Sequence, residues 1–204
     1  MPNMTNRDEN IINAAIQVFM RYGIRRTTMN DIASEAGLVR QTLYTAYSSK
    51  DEVLCAAIRY FADQSLSAIR KGWEGAENLG EKLDIYFEHA IIASFAIVRS
   101  SPDADDMISG YNAAGKAEIA RAQERKKAAI AEILDPHESG IRDAGLSVDQ
   151  LADYIQSASM GVRNSARTEL HLRSLLAALK TTVLSATGSS ERGPLADPNR
   201  QRAS

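Results

Sequence analysis

The chain is 204 residues long, 44% hydrophobic and 25% charged, with a net charge of −2. That describes an ordinary globular protein and excludes a disordered or membrane-spanning class. Thirty-one alanines stand against seven valines; alanine loses the least entropy in a helix and β-branched side chains are crowded there, so a mostly β architecture is excluded as well.

The longest near-apolar stretch, Ala90 to Val98 with Ser94 interrupting it, falls far short of the roughly 18–20 residues that cross a bilayer. No membrane partner is expected. Met1 to Asp8 lack the basic start and apolar run of a secretion signal, so a cytoplasmic address is expected. Cys55 is the only cysteine; it reads as a small buried residue and leaves no internal disulfide or multi-cysteine zinc site.

Ile11, Ile12, Ala15, Ile16 and Phe19 recur at helical spacing, and Gly23 supplies a stop just past Tyr22, which predicts a first helix from Thr5. Thr28 ahead of Met29, Asn30 and Asp31 is an N-cap with an acidic first turn, and Ile32, Ala33 and Ala36 face inward until Gly37 ends a short second helix. Arg40 to Ala46 can then make two turns with Leu43 and Tyr47 on the buried side. Ser49-Lys50-Asp51-Glu52 fits a capping box that opens a longer helix to about Ile69.

Three glycines between Gly72 and Gly80 mark a loosening, within or just before which a second all-helical unit begins. Leu83, Phe87, Ile91, Phe95 and Val98 keep an i, i+4 rhythm with Ile85 and Ile92 on the other side, as in a helix of a domain interior. Pro102 opens another helix through Met107 and Tyr111. From Lys116 to Leu134 charge alternates over one face and Ile119, Ile130 and Ile133 over the other, until Asp135-Pro136 ends the run. Ser147-Val148-Asp149-Gln150 is a second capping box, heading a helix with Leu151, Ile155, Ala158 and Val162; its Ser157, Ala158 and Gly161 would let a neighbour approach closely. Leu172, Leu175, Leu176, Leu179 and Val183 form the strongest stripe of the chain, a core or subunit-contact face. Gly188 to Ser204 has no periodicity and reads as a disordered tail.

Catalytic signatures are missing: no phosphate-binding glycine loop, dinucleotide fingerprint, H-E-x-x-H or G-x-S-x-G occurs. His89, His137 and His171 are scattered, and Asp103, Asp105 and Asp106 lack the glycine and distal glutamate of a calcium loop. Neither an enzyme nor a bound cofactor or metal is expected.

The N-terminal helices carry more chemistry. Arg21 to Lys50 holds five basic residues, Arg21, Arg25, Arg26, Arg40 and Lys50, against Asp31 and Glu35. Two short helices joined at Gly37, the second showing Arg40, Gln41, Tyr44 and Thr45 outward, form a helix-turn-helix with a polar second helix. Arginine can pair with guanine and glutamine with adenine in the major groove, threonine offers a hydroxyl and a methyl, and tyrosine can reach a phosphate. Lys50 and the N–H groups at the start of the fourth helix could hold a further phosphate, as could the cap at Thr28. The bland alternative is a small helical subdomain with an ordinary wet face.

Ala14-Ala15, Phe19, Gly23, Thr27-Thr28, Asp31-Ile32-Ala33, Ala36-Gly37-Leu38, Thr42-Leu43-Tyr44, Tyr47 and Lys50-Asp51-Glu52-Val53-Leu54 together resemble the DNA-binding domain of the TetR (tetracycline repressor) family of bacterial transcription regulators. The resemblance covers about a quarter of the chain; Val39 stands where the family often has serine, and Gln41 where a small residue is usual. It implies an all-α fold: a three-helix helix-turn-helix domain over residues 1–50, a larger helical-bundle domain for ligand binding and dimerisation over 51–187, and a disordered tail over 188–204. It also implies a homodimer on a palindromic double-stranded DNA operator, released by a small-molecule effector. Carried over by position, Thr28 and Lys50 would contact phosphates, Arg40, Gln41, Thr42 and Thr45 would face base edges, and Tyr44 would contact backbone or a thymine methyl.

Phe87, Ile91, Phe95, Met107, Tyr111 and Tyr154 are candidates for a largely apolar ligand cavity, with His89, Asn112, Gln156 or Arg99 as its few polar points. The resemblance implies a subunit contact around Tyr154 to Val162 and Leu172 to Val183, where the stripe residues can equally be internal core. Alternatives to a repressor are an activator and a helical small-molecule-binding protein that regulates nothing.

Overall fold

Short polar side chains set most helix starts. In the computed structural model, which describes residues 5–100 and 112–189, Thr5 caps α1 (Asn6–Tyr22) and Thr28 caps α2 (Met29–Glu35). In both, the hydroxyl accepts the N–H of the third helical residue, Asp8 or Asp31, whose carboxylate accepts the threonine N–H in return. Gly23, at φ 79°, ends α1 with its N–H on the Phe19 carbonyl. Gly37 turns the chain at φ 66°, a conformation glycine reaches without a Cβ penalty, and the Leu38 N–H reaches back to Ala33 at 2.9 Å before α3 (Arg40–Ala46) begins.

Ser49 starts α4 (Lys50–Trp73) by accepting the Glu52 N–H. The expected box is only half made there: the Glu52 carboxylate takes the N–H of Ser48 at 2.6 Å. α5 (Leu79–Tyr86) passes through a π-helical turn, Phe87–Ile92, into α6 (Ala93–Ser100). The helix expected from Pro102, with Met107 and Tyr111, lies outside the described residues, as does the tail from Ser190 on.

Asn112 caps α7 (Ala113–Leu134). Asp135-Pro136 ends the α-helix as expected but not the helical path, which continues as a 3-10 turn, Asp135–His137, into α8 (Glu138–Asp143). Pro136 sits in the first turn of that element, where no N–H is needed. α9 (Val148–Ser165) has the complete Ser147–Gln150 box, and Thr168 caps α10 (Glu169–Ala186).

Two cores result, and α4 serves both. Ile11, Phe19, Ile32 and Leu43 of α1–α3 close around Val53, Leu54 and Ile58 of α4. Ile69, further along α4, joins a second core with Leu83, Phe87, Ile130, Leu151 and Ile155. α4 and α5 approach closely because Gly72 has no side chain: a Cβ there would lie 2.7 Å from Ile85 Cγ2. Ion pairs staple α4 to α7 along their exposed edges, Asp63 to Arg125 at 2.6 Å and Arg70 to Glu132 at 2.9 Å. Leu172, Leu176, Leu179 and Val183 are buried in the second core, so the strongest stripe is internal. The outward face of α10 is instead Leu170, Ser174, Ala177, Ala178 and Thr181.

Candidate DNA-facing helix and adjoining cavity

Leu43 anchors α3, fully buried among Ile32, Val53 and Leu54. A single inward anchor on a two-turn helix leaves the other side chains outside: Arg40, Gln41, Tyr44 and Thr45 are exposed, and Thr42 is half-buried. The Arg40 guanidinium lies 5.1 Å from the Tyr44 ring centre and donates to its hydroxyl at 3.2 Å. The Thr45 hydroxyl donates to the Gln41 carbonyl at 2.9 Å. α3 has no side-chain cap, because Val39 occupies the N-cap position with 72% of its surface exposed.

Thr28 and Lys50 flank this helix in sequence, and each is already engaged. The Thr28 hydroxyl donates to Asp31 at 2.7 Å, and the Thr28 hydroxyl and N–H hold the Asp31 carboxyl below its ordinary range. The Lys50 ammonium donates to the carbonyls of Ile24 at 2.7 Å and Thr27 at 2.9 Å. Lys50 therefore ties the start of α4 to the α1–α2 connection. No local pattern announces this clamp, which joins residues more than twenty apart.

Behind the helix-turn-helix, α1, α4, α5, the π turn, α6, α7 and α9 enclose a cavity of about 200 Å³. α1 and α4 give it only apolar side chains, among them Ile16, Met20, Ile58 and Phe61. Its polar groups come from the other helices: Tyr86, Ser94, Gln123, Lys126, Gln156 and Arg163. The buried Tyr86 hydroxyl donates to Gln156 Oε1, and burial pushes its phenol well above the ordinary value. Arg163 donates to Ser94 at 3.3 Å and to Asn164 at 3.0 Å. Burial, and secondarily the Arg163 charge, push the Lys126 ammonium down to about 8.

Of the side chains expected around a ligand, Ile91 lines this cavity, with Gln156 as a polar point. Phe87 and Phe95 are buried in the second core, and Tyr154 stands on the outer face of α9, 49% exposed. His89 is exposed, Asn112 caps α7, and Arg99 lies over the Phe95 ring. Met107 and Tyr111 lie outside the described residues. Sequence reasoning missed Ile16, Met20, Lys126 and Arg163. Lys126 did leave a trace: it falls at helical spacing between Ile119, Ile130 and Ile133, a cation in an apolar stripe.

A helix-turn-helix with an outward polar second helix, carried by a long shared helix on a larger helical domain, is an arrangement that suits DNA binding. Residues 11–57 match the family described as bacterial regulatory proteins, tetR family. The chain is 30% identical over 95 residues to the HTH-type transcriptional repressor KstR2 of Mycobacterium tuberculosis, an alignment covering 47% of this chain and 46% of that one. It is also 30% identical over 74 residues to the nicotine-responsive transcriptional repressor HdnoR of Paenarthrobacter nicotinovorans, covering 36% and 38%. The chain spans less than half the length of the curated relatives it matches. In fold it is similar to the transcriptional regulator FadR of Bacillus subtilis, solved in complex with stearoyl-CoA: TM-score 0.65 and 18% identity over 87% of this chain and 98% of that one. Among the described residues no helix is long and apolar enough to cross a membrane.

Proposed function

We propose that the protein is a dimeric transcriptional repressor that leaves a palindromic operator when a small molecule enters the cavity behind its helix-turn-helix. The observation that carries this proposal is the cavity wall. Ile16 and Met20 belong to α1, packed against α2 and α4 in the DNA-binding unit, so an occupant of the cavity touches that unit directly. The small-molecule ligand bound by FadR and the nicotine response of HdnoR support an effector of this kind. A ligand can shift the equilibrium only by its differential affinity for the two conformations, and a contact on α1 supplies one.

In this proposal Arg40, Gln41, Thr42 and Thr45 face base edges and Tyr44 the backbone or a thymine methyl. Thr28 and the α4 N-terminus hold phosphates, and Lys50 joins them by giving up one of the carbonyls its ammonium holds in the free protein. The subunit contact is the outward face of α9 and α10, where Tyr154, Gly161, Leu170, Ala177 and Ala178 are exposed. Small side chains there suit close packing of four helices about a two-fold axis, which must set the two α3 helices about 34–36 Å apart.

Selection of bound sequences from random DNA, with and without a cell extract, tests this directly. A palindrome with half-sites one duplex turn apart, bound at nanomolar protein and less tightly as salt rises, is the expected result. Binding no tighter than to unselected DNA would refute it.

A further inference from the structure

The cavity is unusual in its charge. Among the described residues it is lined by no aspartate or glutamate, and its ionisable side chains are Tyr86, Lys126 and Arg163. Lys126 makes no ion pair with a described residue, although its α7 neighbours Arg125 and Lys127 reach Asp63 and Asp149. A largely buried ammonium with no counter-charge among the described residues is costly, and the cost is relieved by an anion brought in as ligand. The rest of the wall limits that anion: α1 and α4 offer it only Ile16, Met20, Ala57, Ile58, Phe61 and Ala62. Ile119 and Lys126, seven residues apart on α7, put the apolar and charged portions roughly 10 Å apart along that helix. Ile119 packs against the N-terminal core, so the apolar end is the one next to the helix-turn-helix.

Size narrows the class further. A dry cavity of about 150 Å³ accepts a benzene-sized guest, so about 200 Å³ suits a ligand on the order of ten non-hydrogen atoms. We infer that the cavity takes a small amphipathic monocarboxylate, its head on Lys126 and its apolar body against Ile16 and Met20 of α1. The inference rests on the cavity being the effector site and names the chemistry of the effector. At neutral pH the Lys126 ammonium is still charged.

Calorimetric titration of the full chain, without DNA, decides it. The probes are octanoate and 3-phenylpropanoate, each beside its neutral amide, and octylammonium. At pH 7 at least one acid binds, its amide binds about tenfold or more weakly because a charge-assisted hydrogen bond is lost, and octylammonium gives no heat. Raising the pH from about 7 to about 9.5 weakens the acid by about tenfold while the amide is unchanged. Over that range Lys126 is the lining group that titrates, because Arg163 stays charged and Tyr86 stays neutral. Lys126→Met brings acid and amide to equal affinity, whereas Lys116→Met, at an exposed position of the same helix, preserves the preference. Equal binding of acid and amide by the unmutated protein, an unchanged preference in Lys126→Met, or no binding by any probe overturns the inference. Because DNA is absent, loss of the carboxylate preference and failure to bind an operator are separate results.

Discussion

In the helix-turn-helix, the candidate DNA-contacting side chains are held mostly by neighbours a few residues away. Thr28 is fixed by Asp31, Arg40 by Tyr44, and Thr45 by the Gln41 carbonyl. In the cavity the distances along the chain are of another order: Tyr86 meets Gln156 across 70 residues and Arg163 meets Ser94 across 69. The outward surface of α3 is set by local chemistry around one buried anchor, whereas the cavity exists only once five or more helices have packed. A substitution in the first should act on contacts or on one anchor. A substitution in the second should act on the balance between packing and charge.

The anchor offers the largest break. Leu43→Ala removes the buried side chain that holds α3 against Ile32 and Leu54; it is expected to cost about 2–5 kcal/mol. Denaturant unfolding measures the loss. The exposed Gln41→Ala on the same helix should change stability by less than about 0.5 kcal/mol.

Lys126 offers the converse, a substitution in the cavity that stabilises. The folded chain releases this proton near 8 and the unfolded chain near 10.5. Between those values the unfolded state binds more protons, so stability rises with pH across that window, and the group is fully destabilising below it. Lys126→Met should raise stability at pH 7 by up to about 3 kcal/mol and flatten the rise between pH 8 and pH 10.5. Urea unfolding at pH 7 and pH 10 checks both. A stability that falls toward pH 10 more steeply in the unmutated protein than in the variant would contradict the assigned burial.

The same contrast explains what the sequence made legible. The three N-terminal helices, their threonine caps and the outward set on α3 follow from spacings of three and four residues. The Ser49 box was read from the same rule and is half right, because Ser48 competes for the Glu52 carboxylate. Lys50 was readable as a cation at a helix start, but not as the clamp on Ile24 and Thr27, whose carbonyls only the folded chain brings near. In the larger domain the apolar stripe on α10 announced a buried face without saying against what. Phe87, Ile91 and Phe95 share a helical path and all join the second core, yet of the three Ile91 alone also meets the cavity. The π turn over 87–92 changes which side chains share a face, and i, i+4 spacing carries no sign of it.

Arg40 tests the local surface through its partner rather than its fold. Arg40→Ala should weaken operator binding by about 1–3 kcal/mol and relax specificity at one base if the guanidinium reads guanine. Anisotropy titrations on operators varied base by base separate this from an equal loss on every sequence, which would assign Arg40 to a phosphate.

The smallest effect concerns the start of α3, where local chemistry is incomplete. Val39 occupies the N-cap position with no side-chain oxygen for the first N–H groups of the helix, and its exposure means that little packing is lost on replacement. Val39→Ser supplies the missing acceptor and should stabilise the protein by about 0.5–1 kcal/mol, seen as a rise in Tm of about 1–4 °C. Its effect on operator affinity is the sharper measurement. If α3 is already rigid through Leu43, the cap changes stability and leaves affinity untouched. If the first turn frays in the free protein, the serine lowers the cost of ordering it on DNA, and affinity rises with stability.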